Sequence, residues 1–119
     1  MVLLTVSRFH SCQNCMAAHS AAAEMQQVPA DVVEAIRTDH SIADPKLEAL
    51  RLYGNRLLEK RGWLDAAKMG EFLAAGYAPS HAMDVLVGVG QKTLSNFTNH
   101  FAHTPLDAVF EQHAWTLAE

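Results

Sequence analysis

Cys12, Cys15 and His19 stand at i, i+3 and i+7 in the run Cys12-Gln13-Asn14-Cys15-Met16-Ala17-Ala18-His19. On a helix those offsets bring three side chains onto one stripe about two turns long. A helix beginning near Cys12 adds a second ingredient, because unpaired backbone N–H groups and the macrodipole at its start favour a thiolate. The thiolate is the nucleophilic form of cysteine, and a helix start or a nearby His lowers a thiol from its free pKa of about 8.5. One turn after Cys15, His19 can accept its proton or pair with the resulting anion. Two cysteines three apart can also close a disulfide, so one thiolate can attack, the other resolve, and an external reductant reset the pair.

Two plainer uses compete with redox chemistry. Two Cys and one His supply three zinc ligands, yet i and i+3 on a regular helix rarely converge with i+7 into a tetrahedron, and the chain has no second CxxC and no HxxxH. Buried structural cysteines on an Ala-rich helix are the other alternative. The expectation is a site of Cys12, Cys15 and His19 with no metal and no bound cofactor.

The elements that must position the stripe read as helices. The chain of 119 residues is 50% hydrophobic and 18% charged, ordinary for one globular domain spanning residues 1–119. A net charge of -4 gives no basic footprint for nucleic acid. No stretch approaches the ~20 apolar residues that cross a bilayer, and Met1 to Val6 lacks the basic start and length of a signal peptide. A cytoplasmic setting is expected, where a CxxC pair is more often redox-active or metal-binding than structural.

Met1 to Phe9 is an apolar run, ambiguous between a strand and the end of a helix. Ser11 is the candidate N-cap of the helix carrying the cysteines and Ala17 to Met25. Val28-Pro29 breaks that helix, and Pro29 suits the first turn of the next, with Val32, Val33 and Ile36. Asp44-Pro45 is an N-cap followed by Pro, opening a helix that places Leu47, Leu50, Gly54, Leu57 and Leu58 on one face and stops at Gly62. A shorter helix runs from Asp65 and is closed by Gly76.

The longest helix runs from about Ser80 to His103. Its apolar residues Met83, Leu86, Val87, Leu94, Phe97 and Phe101 spread too widely for one wet side, which predicts a central helix or one shared with a partner chain. Gly88 and Gly90 inside it each cost roughly 1 kcal/mol of helix propensity and suit a close backbone neighbour. After Thr104-Pro105, Leu106 to Trp115 forms a last short helix that buries Val109, Phe110 and Trp115. The fold expected is an all-α bundle of about six to seven helices.

From Leu3 to Trp115 the chain resembles the AhpD-like alkylhydroperoxidase branch of the carboxymuconolactone decarboxylase family. The resemblance is carried by Thr5-Val6-Ser7-Arg8-x-x-x-Cys12-x-x-Cys15-x-Ala17-Ala18-His19-Ser20 and by the run from Asn96 to Asp107, Asn-Phe-Thr-Asn-His-Phe-Ala-His-Thr-Pro-Leu-Asp. It implies an AhpD-like fold, a homotrimer or homohexamer, and reduction of a small peroxide or a related dithiol exchange. Carried over by position, Cys15 attacks with His19 activating it, and Cys12 resolves and meets the reductant, a dithiol protein or a small dithiol of the dihydrolipoyl kind. Members also carry a Glu on a preceding helix as part of a proton relay. Counted back from Cys12, that position falls before Met1, so the given chain is expected to lack the N-terminal helical region of longer members: either it is a truncated form, or another group supplies the proton. Asn14 stands where the family often has an aromatic, acidic or His residue.

Asn96, Asn99 and His103, with His100 beside them, form a polar stripe on the long helix. It reads as hydrogen bonding across an interface, or as a polar wall near the dithiol that replaces part of the relay. His10, His40, His81 and His113 fall near element ends as surface or capping groups, and Trp63 and Trp115 read as packing residues. The alternative functions are a catalytically weakened oligomeric domain of the same type, and a decarboxylase-like enzyme acting on a small organic acid without the thiols.

Overall fold

The computed structural model describes residues 1–117 and contains six α-helices and one 3-10 helix, with no strand among the described residues. The helices are α1 Val2–Phe9, α2 Gln13–Met25, α3 Ala30–Thr38, α4 Pro45–Glu59, α5 Ala66–Ala74 and α6 Pro79–Ala102, followed by the 3-10 segment Ala108–His113. The all-α bundle expected from the helical punctuation is therefore the fold observed. No helix among the described residues is long and apolar enough to cross a membrane.

Met1 to Phe9 resolves as helix α1, and this short element is the hub of the bundle. It packs against α2, α3, α4 and α6. Four consecutive residues, Leu4, Thr5, Val6 and Ser7, are all buried, so the helix is enclosed around its whole girth. On one side Leu4 joins Met16, Val32, Ile36 and Ile42 in a core cluster. A second cluster gathers Tyr53, Leu57, Phe72, Ala82 and Val85, with Phe72 stacked between Tyr53 and Tyr77 at ring separations of 4.1 and 4.5 Å.

The caps follow the sequence in most places. Asp44 accepts from the backbone N–H groups of Lys46 and Leu47 at the start of α4, and Asp65 accepts from Lys68 at the start of α5. Gly76, at φ 101°, closes α5. The N-cap of α2 differs from expectation: it is Cys12, not Ser11. Ser11 takes a left-handed φ of 55°, with its N–H bonded to Arg8 O and that of Cys12 bonded to Ser7 O, both at 2.9 Å. That is the double bond of a Schellman ending to α1. It consumes Ser11 and leaves the next residue to open α2. Pro29 likewise caps α3 from outside, and α4 ends at Glu59, with Lys60 as its C-cap.

The long helix departs most from expectation. α6 lies on the flank of the bundle, not at its centre. Its buried residues are Ala82, Val85, Lys92 and Asn96. Met83, Leu86, Val87, Leu94, Phe97 and Phe101 are all exposed, Phe101 at 90%. The breadth of the apolar pattern is real, but it reflects one face too many rather than full enclosure. Gly88 meets its expected close neighbour, since a Cβ there would lie 3.1 Å from Val2 Cγ1, whereas nothing lies within 4 Å of such an atom at Gly90. The last segment is a 3-10 turn with Val109 exposed, and Trp63 is 87% exposed, so neither packs as expected. Trp115 does pack, donating its indole N–H to Arg37 O at 2.9 Å.

Candidate active site

The Schellman turn after α1 delivers Cys12 to the N-cap of α2, and the first helical turn then places Cys15 beside it, buried as well. Both sulfurs are free thiols, 1% and 3% exposed. They are close enough for the Cys12 thiol to hydrogen-bond the Cys15 sulfur. Stereochemically the pair is placed for exchange between dithiol and disulfide.

The environments of the two sulfurs differ. Burial pushes the Cys12 thiol up, and its hydrogen bond to Cys15 adds to that. Burial also works against ionisation of Cys15, but four polar groups overcome it: the Cys12 thiol, the charge of Lys92, the Asn99 amide and the Ser95 hydroxyl together bring Cys15 below the ordinary thiol value. Asn99 Nδ2 donates to Cys15 Sγ at 3.0 Å. Ser95 Oγ lies 3.9 Å from the same sulfur and accepts from Lys92 Nζ at 3.0 Å. An ammonium has donors only, so it occupies a lone pair of the hydroxyl and leaves the Ser95 O–H free to point at sulfur.

Every one of these groups except Cys12 comes from α6. Lys92, Ser95 and Asn99 stand at i, i+3 and i+7 on the face turned into the bundle. Asn99 belonged to the polar stripe read from sequence; Lys92 and Ser95 did not. A lysine amid apolar residues is usually read as solvated, yet Lys92 is 7% exposed and joins no ion pair among the described residues. The available signal was the continuation of the Asn96–Asn99 stripe one turn toward the N-terminus.

His19 lies on α2 as expected, half-buried, in a small hollow with Met1, Leu3, Leu4, Ala22, Ala23, Gln26 and Val28. Among the described residues no hydrogen bond joins its ring to either sulfur. Burial first, then the charges of Lys92 and the Met1 amine, push its pKa down to about 4. At neutral pH the ring is therefore uncharged. His100 and His103 sit on the other side of the dithiol, lining a cleft of about 200 Å3 with Ser11, Cys12, Gln13, Asn14, Asn99 and Thr104. Of the two thiols, Cys12 is the one on this cleft. Asn14 holds one wall in place, donating to Pro105 O at 2.8 Å and so tying the turn after α6 to α2.

The remaining histidines are local. His81 accepts from Ala78 N at the start of α6, and His113 faces Glu24 at 3.1 Å. His10 bonds Thr93 Oγ1 at 3.1 Å and meets Phe97 edge to face. Among the described residues no three His, Cys, Asp or Glu side chains converge as metal ligands would. Searches against protein-family models and against curated proteins find no match to this chain.

Proposed function

We propose that the chain is a thiol-dependent oxidoreductase that reduces small hydroperoxides, with Cys15 as the attacking thiolate and Cys12 as the resolving thiol. The observation that carries this reading is the asymmetry of the pair: donors converge on Cys15, whereas Cys12 is held as a thiol and borders the cleft. The resemblance of the Cys12–Ser20 and Asn96–Asp107 runs to alkylhydroperoxidases supports the same assignment.

In the cycle, the Cys15 thiolate attacks the outer oxygen of a hydroperoxide. The S–O bond forms as the O–O bond breaks, and the alkoxide leaves as an alcohol after taking up a proton. Cys12 then gives up its proton and attacks the sulfenic sulfur; S–S forms, S–O breaks, and hydroxide leaves as water. A dithiol reductant exchanges with the Cys12–Cys15 disulfide, leaving with its own disulfide and restoring both thiols. The cleft that Cys12 borders fits the end of a dithiol arm, which would meet the disulfide at Cys12. His19, kept neutral, can accept a proton but does not provide a cation beside the thiolate.

The same reading includes assembly of identical chains, as a trimer or hexamer, and operation in the cytoplasm. The exposed apolar face of α6 supports assembly, since a contiguous stripe of this kind marks an interaction surface. The test is hydroperoxide consumption with dihydrolipoamide as reductant. Cys15→Ser should abolish turnover, and Cys12→Ser should stall after one equivalent with a dimedone-reactive sulfenic acid on Cys15. Full turnover by Cys15→Ser would overturn the assignment.

A further inference from the structure

A lysine buried to 7% exposure with no carboxylate partner among the described residues is expensive to keep, because desolvation of an ammonium is offset only by what faces it. What Lys92 faces is Ser95 Oγ at 3.0 Å, and through it the Cys15 sulfur at 3.9 Å. An uncompensated cation next to a neutral thiol would destabilise the fold. The same cation next to a thiolate is one half of a charge pair bridged by a hydroxyl. The structure of the site is thus internally consistent when Cys15 is ionised and costly when it is not.

We propose that Lys92, acting through the Ser95 hydroxyl, is the positioning residue that holds Cys15 as the attacking thiolate, the part that the sequence assigns to His19. The inference deepens the proposed function and rests on Cys15 being the attacking thiol. Lys92 does not touch a substrate in the cleft, whose lining includes Cys12, Asn99, His100 and His103 but not Lys92. It replaces an acid relay with fixed positive charge and one hydroxyl.

The ionisable groups around Cys15 divide cleanly. On α2 they are Cys12, which donates a hydrogen bond, and His19, which is uncharged at neutral pH and forms no hydrogen bond to the sulfur. On α6 they are Lys92 and, at the cleft, His100; from the end of α1, His10 turns to Thr93 and Phe97 instead. Lys92 is the one of these whose charge acts on both Cys15 and His19, lowering each. The charge of Lys92 thus adds to burial in keeping the imidazole neutral and to the hydrogen bonds that favour the Cys15 thiolate.

The experiment is the pH dependence of iodoacetamide alkylation of Cys15 in the reduced full chain, read peptide by peptide by mass spectrometry. Lys92→Met, which keeps the length of the side chain, should raise the midpoint for Cys15 by about one unit or more, as loss of an adjacent opposite charge does. Alkylation at neutral pH should then slow about tenfold. Lys92→Arg should restore most of the shift, and Ser95→Ala should fall between. His19→Gln should leave the midpoint in place. The thermal midpoint of Lys92→Met should equal or exceed that of the parent chain, a result a purely structural lysine would not give. An unmoved midpoint in Lys92→Met overturns the inference, and so does a shift in His19→Gln as large as that in Lys92→Met. Failure of the two readings is separable. A parent chain that turns over hydroperoxide while Lys92→Met leaves the midpoint in place sinks the role of Lys92 alone. A midpoint that moves in a chain inert toward hydroperoxide sinks the proposed activity alone.

Discussion

α6 buries apolar Ala82 and Val85 in its first half, but beyond them its two faces are inverted relative to an ordinary surface helix. The face turned into the bundle carries Lys92, Ser95, Asn96 and Asn99, and the face turned to solvent carries Met83, Val87, Leu94, Phe97 and Phe101. Burial energetics alone would favour the opposite arrangement, with apolar groups inside and polar groups wet. The inner face is explained by the sulfur it serves: three of its polar side chains converge, directly or through one another, on Cys15. The outer face is explained by spacing. Met83, Val87, Gly90, Leu94, Phe97 and Phe101 alternate steps of four and three residues, which is the seam of a helix that packs against another helix. One helix thus lines the Cys15 sulfur on one side and exposes an apolar seam on the other, the face we propose for assembly.

The largest effect expected from breaking this comparison is on the outer face. Replacing Leu94 and Phe101 together with Glu should convert an assembled species to monomer in sedimentation velocity, with the far-UV helical signal intact. Two unpaired carboxylates in an apolar seam cost several kcal/mol, whereas exposed positions usually change monomer stability by no more than about 0.5 kcal/mol. A double variant that sediments as the parent chain does would remove the assembly role from this face.

The inner face should respond in the opposite sense. Asn96 is fully buried, and among the described residues neither its Nδ2 nor its Oδ1 has a hydrogen-bond partner. Substitution by the similarly shaped Leu removes an unsatisfied amide, so Asn96→Leu should raise the urea-unfolding free energy by about 1–3 kcal/mol. Its direction distinguishes an orphaned polar group from one held by ordered water: a loss of stability of the same size would show that the amide is satisfied in solution.

A pH-dependent effect is expected from His19. Its native pKa of about 4 lies below the ordinary value of 6.5, so the unfolded chain binds the proton more readily than the native one. The contribution is fully present above about pH 6.5 and is lost as pH falls toward 4. Chemical denaturation across that window should show a decline that is shallower in His19→Gln. Identical slopes would place the imidazole in a more solvated setting than its hollow implies.

How much of this was legible in the sequence varies with the physics involved. Asp44-Pro45, Asp65 and Gly76 marked element ends because a cap depends on local chemistry, and the structure places each where the pattern does. Ser11 misled for a local reason as well: a good N-cap residue was consumed in ending the preceding helix, which a one-helix pattern does not register. The identity of the central helix was not legible. α1 and α6 both read as apolar, and only tertiary packing decides that the short one is enclosed while the long one stays at the flank. At the site, the spacing of Cys12, Cys15 and His19 was plain, and all three lie on or at the cap of α2 as that spacing requires. Apart from Cys12, the groups that touch the Cys15 sulfur come from α6, 80 and 84 residues further along the chain for Ser95 and Asn99. Periodicity within one helix carries no information about which other helix will face it, so Lys92 and Ser95 could be found only as an extension of the Asn96–Asn99 stripe.

The central claim is that the two thiols are chemically unequal, with Cys15 the more acidic. The most direct measurement is the alkylation rate of each cysteine in the reduced chain as a function of pH, resolved by peptide. The account predicts that Cys15 is modified first at neutral pH, with a midpoint below the free-thiol value of about 8.5, while Cys12 titrates above it. Equal midpoints, or earlier modification of Cys12, would contradict it.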